Sequence, residues 1–302
     1  MSEGRCKRMA ELCLGTVQLG QKYGINNQIG RQPTHEEAFD IIQAAIDSGI
    51  EYIDTASVYG EAEELLGKFG IGNYPVKVTT KLYIRKPADI NNIKKLVHSS
   101  LQKLQMDCVD GYLLHNAADM YNDAIMQQMT EVKESGMVNH IGVSIYEQED
   151  AIYAAKLKEI DYIQIPYNVF DQRLDHTEFF HLTKENGKTV FARSAFLQGL
   201  LLSDEKNIPL PEAADSIKLF RAIIEKYHIS PQQAAFYFSY THSNIDYVVF
   251  GVDTKEQLLN NLAMVNDLNG DFMKCRQELA SSFKDMPREI ITPSLWNILK
   301  KI

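Results

Sequence analysis

YIDTASVYG (52–60) is a short run of strand-forming residues that ends on Asp54 and leads through small residues to Tyr59 and Gly60. Two later stretches repeat the plan: VKVTTK (76–81) ends on Lys81, and VDGYLLHN (109–116) delivers His115 just past an apolar run. Each run has strand length and strand composition, with a chemically active residue at its C-terminal end. An acid, a phenol, an ammonium and an imidazole carried by successive strands converge where parallel strands end on one face. That face is the C-terminal rim of a (β/α)8 barrel.

Outward from these stretches the pattern continues. Candidate strands are Leu12–Thr16, Tyr52–Thr55, Val76–Thr80, Val109–Leu114, Val138–Val143, Tyr162–Ile165, Thr189–Ala192 and Tyr247–Phe250. Amphipathic segments lie between them, among them 35–49, 89–104 and 122–136. No proline- or glycine-rich linker divides the 302 residues, and no GxGxxG turn follows the first strand. An open doubly wound sheet is therefore disfavoured, and the expectation is one closed α/β barrel of the TIM type spanning 1–302. The tail 271–302 is expected to pack on the barrel, anchored by Trp296, the only tryptophan. Thr34–Glu37, Ser230–Gln233 and Thr254–Gln257 have the form of capping boxes, and Gly49 and Gly136 stand where helices need a left-handed terminal residue. The loops 17–33 and 194–213 are long for such a barrel and sit at its catalytic rim, where such loops carry ligand contacts.

Composition sets the class. Hydrophobic residues make up 45% and charged residues 24%, as in a globular protein with a full core. A net charge of −9 leaves no basic face for nucleic acid. Cys6, Cys13, Cys108 and Cys275 are scattered without ligand spacing and read as reduced thiols, not as a metal site or disulfide frame. The start MSEGRCKRMAEL lacks an apolar signal core, and no run reaches the roughly 18 apolar residues of a membrane span. The expected location is the cytoplasm, with no membrane partner.

The residue set suggests carbonyl reduction. Hydride addition to a carbonyl leaves charge on oxygen, so a proton must arrive there. Tyrosine supplies it poorly, with a free pKa of about 10. Lowering that by roughly three units takes about 4 kcal/mol, which one ammonium near 4 Å supplies at an effective dielectric of about 20. Lys81 is expected to play that part, with Asp54 holding it and His115 polarising the carbonyl. Each residue taken alone has an ordinary structural reading: a loop tie, a turn ring, a solvated lysine, a packed histidine. Their occurrence together at one rim favours the chemical reading.

The chain also resembles the aldo-keto reductase superfamily, from about Leu12 to Leu268. The resemblance rests on LGTVQLG (14–20), IDTASVYGEAEELLG (53–67), VTTKL (78–82), His115, GVS (142–144), QIPYN (164–168), FARSAFLQGLL (191–201) and GVDTKEQLLNNL (251–262). It implies a barrel that binds an extended nicotinamide dinucleotide without a Rossmann domain or metal. Tyr59 would be the proton donor, with Asp54, Lys81 and His115 completing a tetrad. Histidine at 115 matches carbonyl reductases, not the branch that reduces carbon–carbon double bonds. For the cofactor the resemblance implies Thr16 and Asp54 near the nicotinamide ribose and Ser144 and Gln164 at the carboxamide. It adds Arg193, Ser194, Leu197 and Gly199 along the dinucleotide, and Gly251, Thr254, Gln257 and Asn261 at the adenosine end. Tyr23, Tyr59, His115 and Asn116 would face the substrate. The chain departs from the family at Ile145, where asparagine is usual, and at Arg193, where a stacking tyrosine is usual. Arg193 is open to three readings: stacking on the nicotinamide, meeting an anion, or pairing with an acid. NADPH is the family norm, yet Asp253 beside Lys255 leaves NADH open. GTVQLGQKYGINNQIG (15–30) and RSAFLQGLLL (193–202) resemble a bacterial branch associated with surface-polysaccharide and sugar-nucleotide pathways, implying a polar keto-sugar substrate, with or without a phosphate. Two rivals are a cofactor-binding regulatory subunit without catalysis and an aldolase using Lys81 as a Schiff base.

Overall fold

Runs rich in Val, Ile, Leu and Tyr form β1 (Glu11–Gly15), β2 (Tyr52–Asp54), β3 (Lys77–Leu82), β4 (Val109–Leu114), β5 (Val138–Ser144), β6 (Tyr162–Pro166), β7 (Thr189–Arg193) and β8 (Tyr247–Phe250). They close into one barrel in sequence order, with β8 pairing β1 and every neighbour parallel. This computed structural model describes residues 9–25, 27, 29–265 and 271–296. The expectations placed on Cys6, on the N-terminal segment 1–8 and on 297–302 lie outside the described residues.

A strand's side chains alternate between faces, so each barrel strand has an inner and an outer set. Outer residues such as Leu14, Ile53, Val78, Tyr112, Val143, Ile163 and Val190 join the main core beneath the helices. Those helices are α1 (Val17–Gly20), α2 (His35–Asp47), α3 (Ala62–Phe69), α4 (Ile93–Leu104), α5 (Asp123–Glu134), α6 (Gln148–Lys156), α7 (Phe179–Glu185), α8 (Ala214–Lys226), α9 (Pro231–Tyr240) and α10 (Lys255–Val265). Inner residues Cys13, Tyr52, Leu113, Tyr162, Phe191 and Val249 form a separate cluster that fills the barrel. Two residues beyond Tyr52, Tyr162 and Phe191 the inner positions turn polar as Asp54, Gln164 and Arg193, and Ser144 ends β5 beside Gln164.

The anticipated strands all appear, with ends shifted by a residue or two; β3 runs on through Lys81 to Leu82. The helix anticipated from 89 begins only at Ile93. The Asp89 carboxylate accepts from the Arg85 and Lys86 amides at 3.1 and 3.2 Å, which holds 87–92 in a 3₁₀ turn. Capping boxes close at Thr34 and Ser230. At Thr254 the hydroxyl accepts from the Gln257 amide at 3.2 Å, while the Gln257 side chain reaches back to the Asp253 amide at 2.7 Å. Beyond the barrel, α11 (Phe272–Ser282) packs on α8 and α9, and Trp296 is buried with its indole N–H donating to the Ile290 carbonyl at 3.1 Å. Among the described residues no helix is long and apolar enough to cross a membrane.

Candidate active site

Strand register brings the tetrad together. Asp54 ends β2 opposite Thr79 on β3, so Lys81, two residues on, points into the same interior. His115 follows β4 directly, its amide donating to the Leu82 carbonyl at 2.9 Å. Tyr59 is placed by a close backbone approach. A Cβ at Gly20 would lie 1.9 Å from the Tyr59 carbonyl oxygen, and one at Gly60, whose φ is +56°, would lie 2.0 Å from the Gly20 oxygen. Only glycine at both positions lets the loop after β2 press against the loop after β1.

The Lys81 ammonium donates to Asp54 Oδ1 and Oδ2 at 2.7 and 2.6 Å and to the Thr55 carbonyl at 2.8 Å, which uses all its N–H groups. Asp54 also accepts from Thr79 Oγ1 at 3.2 Å and from Gln164 Nε2 at 2.8 Å. Lys81 is 1% exposed, so this is a buried, mutually neutralised pair. Its ammonium meets Tyr59 through the ring, 5.1 Å from the centroid, not through the hydroxyl.

The expected acidification of Tyr59 by Lys81 is therefore not what the structure shows. Burial, reinforced by the Asp54 charge, pushes the Tyr59 phenol well above the usual tyrosine range, and the cation that opposes the shift is Arg193. Lys81 has no N–H left to offer, and its charge is balanced by Asp54. Burial, with the charges of Lys81 and Arg193, pushes His115 down to about 3, so the imidazole is neutral at ordinary pH. Its Nδ1 is enclosed without a hydrogen-bond partner, and the rings of Tyr59 and Tyr83 meet it edge-on at 5.9 and 5.8 Å.

A cavity of about 1040 Å³ opens over these residues and runs to the start of α10. Its wall includes Thr16, Tyr23, Asp54, Tyr59, His115, Ser144, Gln164, Arg193, Ser194, Gly199, Gly251, Thr254, Gln257 and Asn261. Lys81 lies beneath this wall. Leu197 is buried in the core instead, and Asn116 is off the wall because its side chain caps the turn Ala117–Tyr121 by accepting from the Ala118 amide at 3.3 Å. Both long loops contribute. Ile25 N donates to the Gln198 carbonyl at 3.1 Å, and Asn27 Nδ2 donates to Asp253 Oδ1 at 3.0 Å, so the loop after β1 is tied to those after β7 and β8. The loop after β7 begins with Ser194 at φ +65° and continues through Leu197 and Gln198 at +47° and +52°, backbone strain of the kind found at ligand sites, before Gly199 takes +94° without strain.

Arg193 pairs with no acid among the described residues. Its Nη2 donates to the Ile145 carbonyl at 3.0 Å, and its guanidinium lies 4.1 Å from the Tyr146 ring centroid. Sequence reasoning missed Gln18, Asn27, Tyr146 and Gln198, which also line the cavity. Asn27 and Tyr146 sit in irregular segments, Gln18 in a single helical turn and Gln198 in a kinked 3₁₀ turn, all too short for periodicity to give an orientation.

Several observations fit an extended dinucleotide. The cavity volume is at the upper end of the usual range for ligand sites, and the buried oxygens Gln18 Oε1 and Asn27 Oδ1 lack partners. Thr16, Ser144 and Gln164 offer hydroxyl and amide groups at the barrel mouth.

Comparison with known proteins agrees. The aldo/keto reductase family model matches residues 11–279. An uncharacterized oxidoreductase, YqkF of Bacillus subtilis, is 29% identical over 70% of this chain and 67% of its own. An NADH-specific methylglyoxal reductase of Escherichia coli is 24% identical over 85% of this chain and 90% of its own. The holo structure of aldo-keto reductase AKR11C1 from Bacillus halodurans superposes with a TM-score of 0.73 at 25% identity, covering 94% of this chain and 95% of that one. The chain belongs to the aldo/keto reductase family and is an NAD(P)H-dependent oxidoreductase.

Proposed function

We propose that the protein reduces the carbonyl group of a small polar aldehyde or ketone, with Tyr59 as proton donor and His115 as the group that holds the carbonyl oxygen. The observation that carries this reading is the neutral Tyr59 hydroxyl. It has no hydrogen-bond partner among the described residues and stands on the cavity wall beside a neutral imidazole.

A nicotinamide held by Thr16, Ser144 and Gln164 would supply hydride to the carbonyl carbon. As charge develops on oxygen, Tyr59 transfers its phenolic proton there. An alkoxide is a far stronger base than a phenolate, so the transfer runs downhill even from a phenol whose pKa is raised. His115, kept neutral by burial and nearby cations, donates a hydrogen bond to the same oxygen without competing for the proton. The Lys81–Asp54 pair is a positioning element. It locks the floor on which the Tyr59 ring rests, and Gln164 ties the sixth strand to that floor. The ties Ile25–Gln198 and Asn27–Asp253 hold the loops after β1, β7 and β8 together along the cavity.

The cofactor favoured by local charge is NADH. By resemblance the adenosine ribose lies at the turn Gly251–Gln257. There the wall carries Asp253 and Glu256, and Lys255 is exposed and off it. A 2′-phosphate would meet like charge, against the family norm of NADPH. The E. coli relative described as NADH-specific is consistent with this. A hydroxylated substrate such as a keto-sugar suits the amide-rich wall of Gln18, Gln21, Gln198 and Asn207. The aldolase alternative needs an uncharged lysine in an apolar pocket, and Lys81 is instead ion-paired below the wall.

The test is a titration with NADH and NADPH followed by cofactor fluorescence, joined to turnover on a panel of sugar-derived and simple carbonyls. The reading expects NADH to bind about 10-fold or more tightly than NADPH, and at least one carbonyl to be reduced. Tight binding with no turnover on any carbonyl would favour a regulatory subunit.

A further inference from the structure

The catalytic end of the cavity holds a cation that forms no ion pair among the described residues. Arg193 is the only lysine or arginine among the described residues of the wall, whereas the carboxylates Asp204, Asp253 and Glu256 also line it, and the Asp54 carboxylate is committed to Lys81. Asp171, an acid whose charge interacts with Arg193, is already taken by Arg173 at 2.8 and 3.0 Å. The guanidinium is only partly exposed, and its one short hydrogen bond goes to the Ile145 carbonyl. The other contact, to Ser194 Oγ, is 3.4 Å long. Tyr146 backs one face at 4.1 Å, so the group is a fixed plate and not a swinging side chain. Its field reaches both reacting groups, since it acts on the Tyr59 phenol and the His115 imidazole. A partly desolvated guanidinium held rigid with donors unspent is the arrangement used for carboxylate or phosphate.

We propose that Arg193 binds an anionic group, a carboxylate or phosphate, carried by the carbonyl substrate, so that the substrate class is an acidic aldehyde or ketone. This rests on the reductase reading and deepens it. The anion sets the orientation of the carbonyl between Tyr59 and His115, and the Tyr146 ring keeps the guanidinium from collapsing onto the barrel wall.

The experiment compares matched pairs at saturating NADH: succinic semialdehyde against butanal, and glyceraldehyde 3-phosphate against glyceraldehyde. The wild type is expected to favour the charged member of at least one pair by roughly 10- to 100-fold in kcat/KM. Which pair responds distinguishes carboxylate from phosphate. Arg193→Met should bring that ratio close to one, chiefly through KM, and Arg193→Lys should keep part of it. Equal kcat/KM within both pairs for the wild type overturns the proposal. So does a ratio that survives in Arg193→Met, or an equal fall for both members with weakened NADH binding, which assigns Arg193 to the cofactor. Failure to reduce even the neutral members counts against the reductase reading instead. In that case a thermal-shift titration with succinate and glycerol 3-phosphate decides. A stabilisation present in the wild type and absent in Arg193→Met supports the anion site, and no stabilisation by either sinks it.

Discussion

The lower and upper halves of the barrel interior are built from the same strands, two residues apart, and behave as opposites. In the lower half Tyr52, Tyr162, Phe191 and Tyr247 interlock. The Tyr162 ring lies 5.2 Å from Phe191, and Tyr52 lies 4.3 Å from Tyr247. The polar tips there find partners within the protein: the Tyr52 and Tyr162 hydroxyls meet at 3.2 Å, and Tyr162 donates onward to Asp110 at 2.8 Å. In the upper half the residues are Asp54, Ser144, Gln164 and Arg193, and several groups have no partner among the described residues. The Tyr59 hydroxyl, His115 Nδ1 and most of the Arg193 donors are unspent. The lower layer uses its polarity for the fold. The upper layer holds polarity in reserve for a ligand, and the Lys81–Asp54 pair is the floor between the two.

That contrast can be broken in order of size. Phe191→Ala empties the aromatic plug and is expected to cost about 4 kcal/mol in a denaturation midpoint experiment, with catalysis per folded molecule near wild type. Lys81→Met leaves the Asp54 carboxylate buried without its cation, and about 3 kcal/mol of stability should go together with turnover. If Lys81→Met kept full stability, the pair would not be the floor described here.

His115 gives a pH signature. Its pKa is about 3 in the folded protein against roughly 6.5 when unfolded, so the unfolded chain binds the extra proton and stability falls as pH drops between those values. Replacing it by Gln should remove about 2 kcal/mol of the wild type's loss between neutral pH and about pH 5, measured by urea titration at each pH. The smallest effect belongs to Tyr52→Phe. Because Tyr162 keeps Asp110 as acceptor, the cost should stay near 1 kcal/mol. A loss several times larger would mean that the lower network is a single cooperative unit.

The fold was largely legible because eight short apolar runs alternate with helical segments, and three of those runs lead to a residue out of keeping with them. Asp54, Lys81 and His115 stand out against YI, VTT and YLL, and period-two alternation then puts Lys81 in register with Asp54. The cavity wall was legible where motifs lie on strands, as at Ser144, Gln164 and Arg193. What periodicity could not give was how donors are shared. Nothing in the spacing shows that Lys81 spends every N–H on Asp54 and Thr55, so the phenol acidification expected of it fails. Nor could it show Tyr146 beneath Arg193, or Asn27 reaching Asp253 across 226 residues, because each tie involves a loop whose path depends on tertiary packing. Asn116 and Leu197 were expected on the wall by motif position alone. The cap at Ala118 and the core took them.

The central claim is that Tyr59 supplies the proton as a neutral phenol. Single-turnover oxidation of bound NADH with a reducible aldehyde, run from about pH 5 to about pH 9 on the wild type and on Tyr59→Phe, tests it most directly. The expected result is a flat wild-type profile and a rate lower by about 10²- to 10⁴-fold in Tyr59→Phe, with NADH affinity unchanged. A Tyr59→Phe rate within a few-fold of wild type would contradict the account, and so would a wild-type profile that titrates near neutrality.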